Sequence, residues 1–512
     1  MLCACLILPS LPLDVFARAR PPDAEARPFA VATGGHYPRI VAADAAACAA
    51  GVRAGQLVSA ALALAPGLVL RDRDPVAEAA ALAAVAGWAT QFTPAVSLAP
   101  PDAVLAEIGA SLRLFGGLPK LVARLTQGAA DLGYAARLAL APTPLAALLF
   151  ARADRAVTVT DAPGLARALA PLPLALLDAD PALVATLAAA GVTTFGQACA
   201  LPRDGLARRA GAGFVALLDR ARGLVPDPRP PFVPPPRYVG TLALPAPVAN
   251  VEALAFAVNR LVHELAGWLL GRGLGVIELS LSLAHERYVG VKTGVAATGV
   301  RFALASPARE PAHLSAVLRE RLARVALPAA VESIALASEA TAPLAGRNLG
   351  LLPEDGEDAT VPLLDRLRAR LGEDAVTRVA PHAEHRPERA WREHAELSPA
   401  AARESRVRLD FPAPAPSGGA KRGKVESDPT FSPRPLWLLA EPEPLGHHLE
   451  RAPWVLQDGP ERIESGWWDG RDVRRDYFVA VTPRGETVWI YRDGRCGFGE
   501  GDGEWFLHGV FA

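Results

Sequence analysis

The sequence predicts an α+β multidomain protein that ends in a β-rich module. Strand-like and helix-like patterns alternate from the N-terminus to about residue 342, with a β-α-β-β-α-β order over 236–342. The last 77 residues hold six of the nine tryptophans, placed among β-branched runs and Gly or Asp turns. A chain of 512 residues is long enough for several domains, each with its own core.

Composition narrows the possible partners and compartments. The net charge of −1 gives no overall attraction to nucleic acid, so any DNA contact must come from local basic patches. The five cysteines are scattered and odd in number, which argues against a disulfide framework and favours a reducing cytoplasm. The apolar N-terminus lacks the basic residues of a signal peptide, and no apolar run reaches membrane-spanning length. We therefore expect a cytoplasmic protein without a membrane partner.

The N-terminal third alternates short strands and helices. Asp44 is the expected N-cap of a helix that ends at Gly51, and Pro66 stops the next helix. The predicted strands are 2–8, 29–31, 39–44 and 101–109, and the predicted helices follow Asp44 and cover 57–64 and 118–132.

Two of these segments resemble the Y-family DNA polymerases. Residues 101–109, reading PDAVLAEIG, are similar to the palm strand of that family, S-x-D-E-A-[YF]-L-D-[VI]. Residues 44–56 are similar to the turn G-[VI]-x-x-G of the family's fingers. The resemblance implies that residues 1–165 form a palm and fingers, with the fingers at about 17–92.

The departures from the family pattern concern the groups that carry catalysis. In the family, an adjacent Asp-Glu pair binds the metals; here the two positions hold Asp102 and Ala103. The family's carboxylate on the first strand corresponds to a position near Leu6. The positions that grip the triphosphate hold Ala45 and Cys48, which cannot neutralise phosphate charge. Two-metal phosphoryl transfer needs several carboxylates and cations. We therefore expect no catalytic residue, no bound metal and no cofactor. We expect Asp102 to be a solvated remnant of the metal site.

The next segment, 166–226, is predicted to form short helices. Arg208, Arg209, Gly211 and Gly213 resemble the helix-hairpin-helix of Y-family thumbs, where glycines let backbone N–H groups approach a DNA phosphate. An ordinary connection between two helices explains the same residues equally well.

A proline-rich linker at 226–236 precedes the predicted β-α-β-β-α-β domain of residues 236–342. This element order resembles the little finger of Y-family polymerases, which lies along the DNA. Arg287, Lys292 and Arg301 are its candidate phosphate contacts. Glu278 and Glu286 lie in the same part of the domain, so we expect modest and salt-sensitive DNA binding.

Residues 343–435 are predicted to be a tail and a flexible linker. The stretch RNLGLLP resembles bacterial sliding-clamp ligands of the form Q-L-[SD]-L-F, with Asn348, Leu349, Leu351 and Leu352 at the matching positions. Short leucine-rich motifs also arise by chance. A second motif, His382, Glu384 and His385, lacks further ligands for a metal, and a solvated polar loop is the expected alternative.

The last segment, 436–512, is the predicted β-rich partner-binding module. Its end, WFLHGVFA, resembles the terminus of the ImuB-like branch of inactive Y-family relatives. The resemblance implies a non-catalytic, nucleoid-associated adaptor in SOS-induced translesion synthesis and mutagenesis. Its implied partners are DNA, the sliding clamp, the RecA-like small protein ImuA and an error-prone C-family polymerase. The aromatic residues are explained by a core, and some could serve as contacts for a partner.

Two alternatives remain open on the residues alone. An active translesion polymerase would need Asp102 and Glu107 to share Mg²⁺, with Arg39 or Arg152 holding the triphosphate. A plain structure-selective DNA-binding protein would keep the DNA-binding regions and have neither the clamp nor a polymerase as partner.

Overall fold

The computed structural model describes residues 1–20, 27–155, 157–286, 294–344, 357–394, 434–435, 437–446, 454–494 and 504–511. The chain divides into two compact units, Met1–Gly372 and Glu373–Ala512. Their elements form an α+β protein with separate β-rich sheets in the C-terminal unit, which confirms the predicted fold class. Within the described ranges, no helix has the length and apolar character needed to cross a membrane.

The first unit contains eleven strands and thirteen α-helices among its described residues. In chain order they are β1 (Cys3–Ile7), α1 (Leu11–Ala17), β2 (Phe29–Ala32), β3 (Ile40–Ala43), α2 (Ala45–Ala49), α3 (Val58–Leu64), β4 (Val69–Asp72), α4 (Pro75–Ala89), β5 (Val96–Ala99), β6 (Ala103–Glu107), α5 (Leu118–Asp131), β7 (Arg137–Ala141), α6 (Pro144–Arg152), α7 (Ala162–Leu169), α8 (Pro181–Ala189), α9 (Phe195–Ala200), α10 (Arg203–Arg222), β8 (Val239–Val248), α11 (Val251–Gly271), β9 (Leu274–His285), β10 (Ala297–Ala308), α12 (Pro311–Leu322), β11 (Val331–Pro343) and α13 (Glu357–Leu371).

The N-terminal sheet is antiparallel, has the order β5-β6-β1-β7 and is covered by helices on both faces. Every residue of β1 is buried, as the continuous apolar run predicts. Successive strand side chains point to opposite faces. Cys5 therefore packs in the core formed with α6 to α10, and Leu6 packs in the core formed with α4 and α5.

A smaller sheet of order β3-β2-β4 carries the capped helix that the sequence predicts. The Asp44 carboxylate accepts hydrogen bonds from the N–H of Ala47 at 2.8 Å and of Phe29 at 3.1 Å. Gly51 follows the helix at φ +94°, a conformation that favours glycine. The predicted cap and stop of this helix are confirmed.

The β-α-β-β-α-β order predicted for 236–342 is present as β8, α11, β9, β10, α12 and β11. Its sheet has the order β10-β9-β11-β8 and shares an apolar core with α11 and α12. The proline-rich segment before it forms no helix or strand among its described residues, as expected. Phe232 nevertheless anchors this segment, because its N–H donates to the Val96 carbonyl at 2.7 Å and its ring packs on the N-terminal core.

Helix α11 packs directly on α4 of the N-terminal region. The side chain of Trp88 on α4 fills the space left by two glycines, Gly128 on α5 and Gly267 on α11. A Cβ atom at either glycine would overlap the indole ring. The two glycines therefore set how closely these helices approach.

The second unit consists of a two-stranded and a five-stranded antiparallel sheet. Its strands are β12 (Arg378–Pro381), β13 (Trp391–His394), β14 (Trp437–Pro444), β15 (Val455–Ser465), β16 (Val473–Val481), β17 (Thr487–Asp493) and β18 (Trp505–Val510). The larger sheet has the order β14-β18-β17-β16-β15. Tyr477, Trp489 and Tyr491 are buried in one of its cores, as the aromatic pattern predicts.

Candidate catalytic and nucleic-acid-binding sites

Asp102 lies in the turn that enters β6. Its carbonyl oxygen accepts a hydrogen bond from the Leu8 N–H at 2.8 Å, and its carboxylate Oδ1 is buried without a hydrogen-bond partner among the described residues. Burial raises the pKa of this carboxyl, and Arg152 acts in the opposite direction. The expectation of a solvated acid therefore fails for one of the two carboxylate oxygens.

The cross-strand neighbours of Asp102 are apolar. Ala103 is paired with Ile7 of β1, and Leu6 is paired with Val104. The backbone contact of Asp102 places Leu8, the residue that directly follows β1, beside it. Leu6, Leu8 and Ala103 are all buried in apolar cores. The structure thus brings no second carboxylate from β1 to Asp102.

Glu107 lies at the opposite end of β6 and has a structural role. Its Oε1 accepts hydrogen bonds from the N–H of Leu2 at 3.1 Å and of Gly109 at 2.9 Å. Five residues of extended strand separate it from Asp102 by roughly 17 Å. Paired catalytic metals lie only about 4 Å apart, so these two carboxylates cannot bind one metal pair as the active-polymerase alternative requires.

Of the candidate triphosphate positions, Ala45, Cys48 and Arg39 have no contact with Asp102 among the described residues, whereas Arg152 acts electrostatically on its carboxyl. Ala45 and Cys48 lie on α2, where the Cys48 Sγ contacts the Ala43 carbonyl at 3.6 Å. The Arg39 guanidinium donates to the Gly55 carbonyl at 2.7 Å. Arg152 ends α6. Within the described part of the chain, no group of three His, Cys, Asp or Glu side chains could hold a metal ion.

Helix α10 reverses its direction at Gly211. This residue has φ 84° and ψ 155°, outside the helical region. Arg203 and Asp219 are 16 positions apart, a distance of about 24 Å along a straight helix. Their side chains nevertheless form two hydrogen bonds, one of them at 2.9 Å. The two halves of α10 therefore fold back on one another with Gly211 at the tip.

This reversal brings the predicted thumb residues together at one tip. Arg208, Arg209, Gly211 and Gly213 are all exposed. A Cβ atom at Gly211 or Gly213 would meet no heavy atom within 4 Å, so the backbone at the tip is open to a ligand. Arg203, which the sequence reasoning missed, fixes the open end of the hairpin through Asp219. Its spacing from Asp219, symmetrical about Gly211, is the signal that could have revealed it.

The solvent face of the sheet of β8 to β11 carries one predicted contact. Arg301 is exposed on β10 opposite Ser280 of β9. Beside them, Glu339 accepts from the Ser280 hydroxyl and forms an ion pair with Arg237 at 2.6 Å, a pair that the sequence did not suggest. The other predicted contacts lie outside the described residues: Arg287 and Lys292, and the clamp-motif residues Asn348, Leu349, Leu351 and Leu352.

The His382–His385 segment is a loop, as expected, with Ala383 and His385 exposed, but its Glu384 belongs to an ion-paired network. Glu384 accepts from the Arg386 guanidinium at 2.7 Å and from the Ser465 hydroxyl at 3.0 Å. Arg386 in turn binds both oxygens of Asp469, at 3.1 and 2.8 Å. These hydrogen bonds lower the pKa of Glu384 to about 2, so it is ionised and committed to this network.

The C-terminal motif has a packing role that explains two of its residues. His508 is completely buried, and its Nδ1 lies 2.7 Å from the Tyr477 hydroxyl. Arg475 donates to the Tyr477 oxygen at 3.1 Å, so the hydroxyl proton is directed at Nδ1. A Cβ atom at Gly509 would approach the Trp437 carbonyl oxygen at 2.9 Å.

Comparisons with known proteins agree on the relationship of the chain. Residues 13–152 match the sequence model of the impB/mucB/samB family. The chain is 31% identical to Protein ImuB of Caulobacter vibrioides over 485 residues, which cover 90% of this chain and 100% of that protein.

Solved structures of archaeal polymerases are similar at lower levels. DinB from Sulfolobus solfataricus has a TM-score of 0.38 and 13% identity, covering 67% of this chain and all of that one. A ternary complex of Dbh has a TM-score of 0.39 and 14% identity, covering 66% and 98%. The full-length match to a curated relative is decisive: the chain belongs to the ImuB family of proteins related to the Y-family DNA polymerases.

Proposed function

We propose that this protein is a non-catalytic adaptor in SOS-induced translesion synthesis and mutagenesis. It holds DNA through its polymerase-like body and connects that DNA to the sliding clamp, to an ImuA-like partner and to an error-prone C-family polymerase in the cytoplasm. The observation that carries the non-catalytic role is that β1 brings no carboxylate to Asp102, whose backbone neighbours are the buried Leu8 and Ala103.

The chemistry of phosphoryl transfer supports this proposal. Two metal ions need several converging carboxylates, and cations must neutralise the triphosphate. Asp102 has Arg152 close enough to lower its carboxyl pKa, but it has no second carboxylate from β1 or from the far end of β6. Arg39 donates to a backbone carbonyl in its own domain. A palm built in this way positions DNA without reacting with a nucleotide.

DNA contact in this proposal uses two local surfaces. The hairpin tip supplies Arg208 and Arg209 beside an open glycine backbone, which suits a phosphate. The solvent face of the sheet supplies Arg301, with Arg237 partly neutralised by Glu339. Few cations mean few released counterions, so affinity is modest and each lost arginine is measurable.

Primer extension tests the non-catalytic role. Full-length protein and the Asp102→Ala variant are incubated with primed and lesion-containing templates, in Mg²⁺ and separately in Mn²⁺. We expect no incorporation by either protein, beside DNA binding that is equal in both. Incorporation by the wild type that disappears in Asp102→Ala would make the protein a polymerase and overturn the proposal.

Clamp association tests the adaptor role separately. Replacing Asn348, Leu349, Leu351 and Leu352 by alanine should abolish binding to the sliding clamp while DNA binding is retained, because the short motif is the clamp ligand in this proposal. The matched control replaces Leu363 and Leu371, exposed leucines of α13, by alanine. Equal clamp binding by all three proteins would contradict the assignment.

A further inference from the structure

Three exposed tryptophans of the second unit lie at or beside one cleft. Trp467, Trp468 and Trp391 are 79%, 57% and 47% exposed. Trp467 and Trp468 lie in the turn between β15 and β16 and meet edge to face, with ring centroids 5.5 Å apart. Side chains of this size are ordinarily among the most buried, and clusters of them on a surface mark binding sites. We call Trp391, Trp467 and Trp468, with Arg392 and Arg471, the tryptophan surface.

The turn that carries Trp467 and Trp468 is rigidly held. Arg386 has a side chain only 3% exposed and connects this turn to the 382–389 segment through Asp469 and Glu384. It also donates to the Arg471 carbonyl at 3.1 Å and lies under the Trp468 ring at 5.8 Å. A binding surface that is already ordered loses little conformational entropy when a partner binds. The buried ion pairs therefore pre-organise the exposed rings.

A cleft of about 480 Å³ opens beside these rings. Trp391 and Trp468 line it, together with Glu384, Glu388, Arg392 and Asp469. The volume is within the range of clefts that bind small ligands, and it is ample for one large side chain. An anchor residue of a partner fits such a cleft.

The charges around the cleft indicate what the partner carries. The lining carboxylates are committed to arginines: Glu384 to Arg386, Asp469 to Arg386 and Arg389, and Glu388 to Arg475. Arg392 and Arg471 are exposed and have no ion pair among the described residues. Among the residues that line the cleft, the uncommitted charge is thus the positive charge of Arg392, which favours carboxylates on the partner.

The wider charge of the unit distinguishes a protein partner from a nucleic acid. Residues 373–512 contain 24 Asp and Glu against 19 Lys and Arg. A nucleic-acid strand carries negative charge along its whole length and would meet this net negative unit. A short acidic protein segment can place its carboxylates at Arg392 and Arg471 and leave the rest of the unit uncontacted.

We infer that the tryptophan surface is a docking site for an acidic segment of a partner protein, with one aromatic or branched aliphatic residue that enters the cleft beside Trp391 and Trp468. The inference rests on the proposed adaptor function, because the tryptophan surface would supply one of the adaptor's contacts with a partner protein. It is independent of the clamp motif and of the hairpin tip.

Peptide selection with the full-length chain tests this inference. Random twelve-residue displayed peptides are selected on the wild type after depletion on the Trp467→Ala variant. We expect the selected sequences to place Asp or Glu around one Trp, Phe or Leu. Synthetic copies are then measured by fluorescence anisotropy. Affinity should fall at least tenfold for Trp467→Ala and about fivefold for Arg392→Glu.

Trp437→Ala is the matched control, because Trp437 is 69% exposed but lies on β14 at the other edge of the large sheet. It should bind the peptides as the wild type does, and unchanged urea midpoints show that all variants are folded. The inference is overturned if no selected peptide depends on Trp467, or if the selected peptides are basic. Binding of a fifteen-nucleotide oligothymidylate that is lost in Trp467→Ala would also overturn it and identify a nucleic-acid site.

The outcome is distinguishable from that of the proposed function. Trp467→Ala should leave clamp binding and primer-template binding unchanged. Nucleotide incorporation by the wild type would overturn the non-catalytic role without altering the peptide result. Peptide binding that does not depend on Trp467 would overturn the docking site and leave the non-catalytic role of the palm untouched.

Discussion

Arg18 and Glu264, which are 246 positions apart in the sequence, form a buried salt bridge of 3.1 Å. Their side chains are 3% and 2% exposed. Glu264 also accepts from the Tyr238 hydroxyl at 3.1 Å, and the Arg18 guanidinium lies over the Tyr134 ring at 4.9 Å. This pair joins the end of α1 to the middle of α11, so it holds the N-terminal region and the β8–β11 domain together.

Replacing Glu264 by glutamine should destabilise the first unit by about 3–5 kcal/mol. The substitution keeps the volume but leaves the Arg18 charge buried without a counterion. Urea unfolding of the full chain measures the loss. The matched control is Asp154→Asn, which removes the exposed ion pair of Asp154 with Arg137 and should cost under about 1 kcal/mol. Equal effects of the two variants would mean that the buried pair is not a main connection.

The contact between α4 and α11 depends on a missing side chain. Gly267→Ala should destabilise the protein by about 1–3 kcal/mol, because the added methyl group would overlap the Trp88 ring. Thermal unfolding of the variant measures this. Gly205→Ala in α10 is the control, since its Cβ would have no neighbour within 4 Å and alanine is the better helix former. A neutral Gly267→Ala would show that the helices can separate at this point.

Each arginine of the hairpin tip should contribute one phosphate contact to DNA affinity. Arg208→Ala and Arg209→Ala should each weaken DNA binding and reduce the slope of log K against log[salt] by about 1. A salt series with a fluorescent primer-template measures the slope. Arg167→Ala removes the same charge from an exposed position on α7 and should leave the slope unchanged. Identical slopes for the wild type and both tip variants would exclude these phosphate contacts.

The second unit should lose stability as the pH falls from about 6.5 towards 4. Burial lowers the pKa of His508 from 6.5 to about 4, with Glu388 acting to raise the pKa and Arg475 to lower it. Between these values the unfolded chain takes up a proton that the folded chain does not, so stability decreases with acidity, by up to about 3 kcal/mol. Urea unfolding from pH 7 to pH 4 measures the change.

His508→Asn provides the comparison for this pH dependence. An asparagine oxygen can replace Nδ1 as the acceptor for Tyr477, and it does not titrate. We expect the variant to be less stable at pH 7 but to have a shallower decline between pH 6.5 and 4. Parallel curves for the two proteins would assign the acid sensitivity to other groups.

Local chemistry made several elements predictable. Asp44 can cap a helix because its carboxylate reaches N–H groups three residues ahead, and Gly51 can end it because glycine tolerates positive φ. The run from Leu2 to Leu8 predicts a strand covered on both faces, and both faces are covered. The order of elements in 236–342 follows from periodicity alone.

Long-range contacts were not predictable in the same way. Nothing near Arg18 in sequence indicates Glu264, and nothing near Glu384 indicates Asp469, because such pairs depend on how distant elements pack. The expected loop at His382–His385 is present, but the pairing of its Glu384 was missed for this reason. The same limit applies to Glu107, which sequence alone leaves as a possible metal ligand and which the strand register places at the far end of β6.

The sequence by itself determined the secondary-structure order, the absence of carboxylates from the first strand and the resemblance of the C-terminal motif to a family. These properties depend only on the type and spacing of residues along the chain. Only the tertiary structure decided that α10 folds back at Gly211, that His508 is a buried acceptor and that three tryptophans remain exposed beside one cleft. Exposure and charge pairing are properties of neighbours in space, and the packing of distant segments determines which neighbours a residue has.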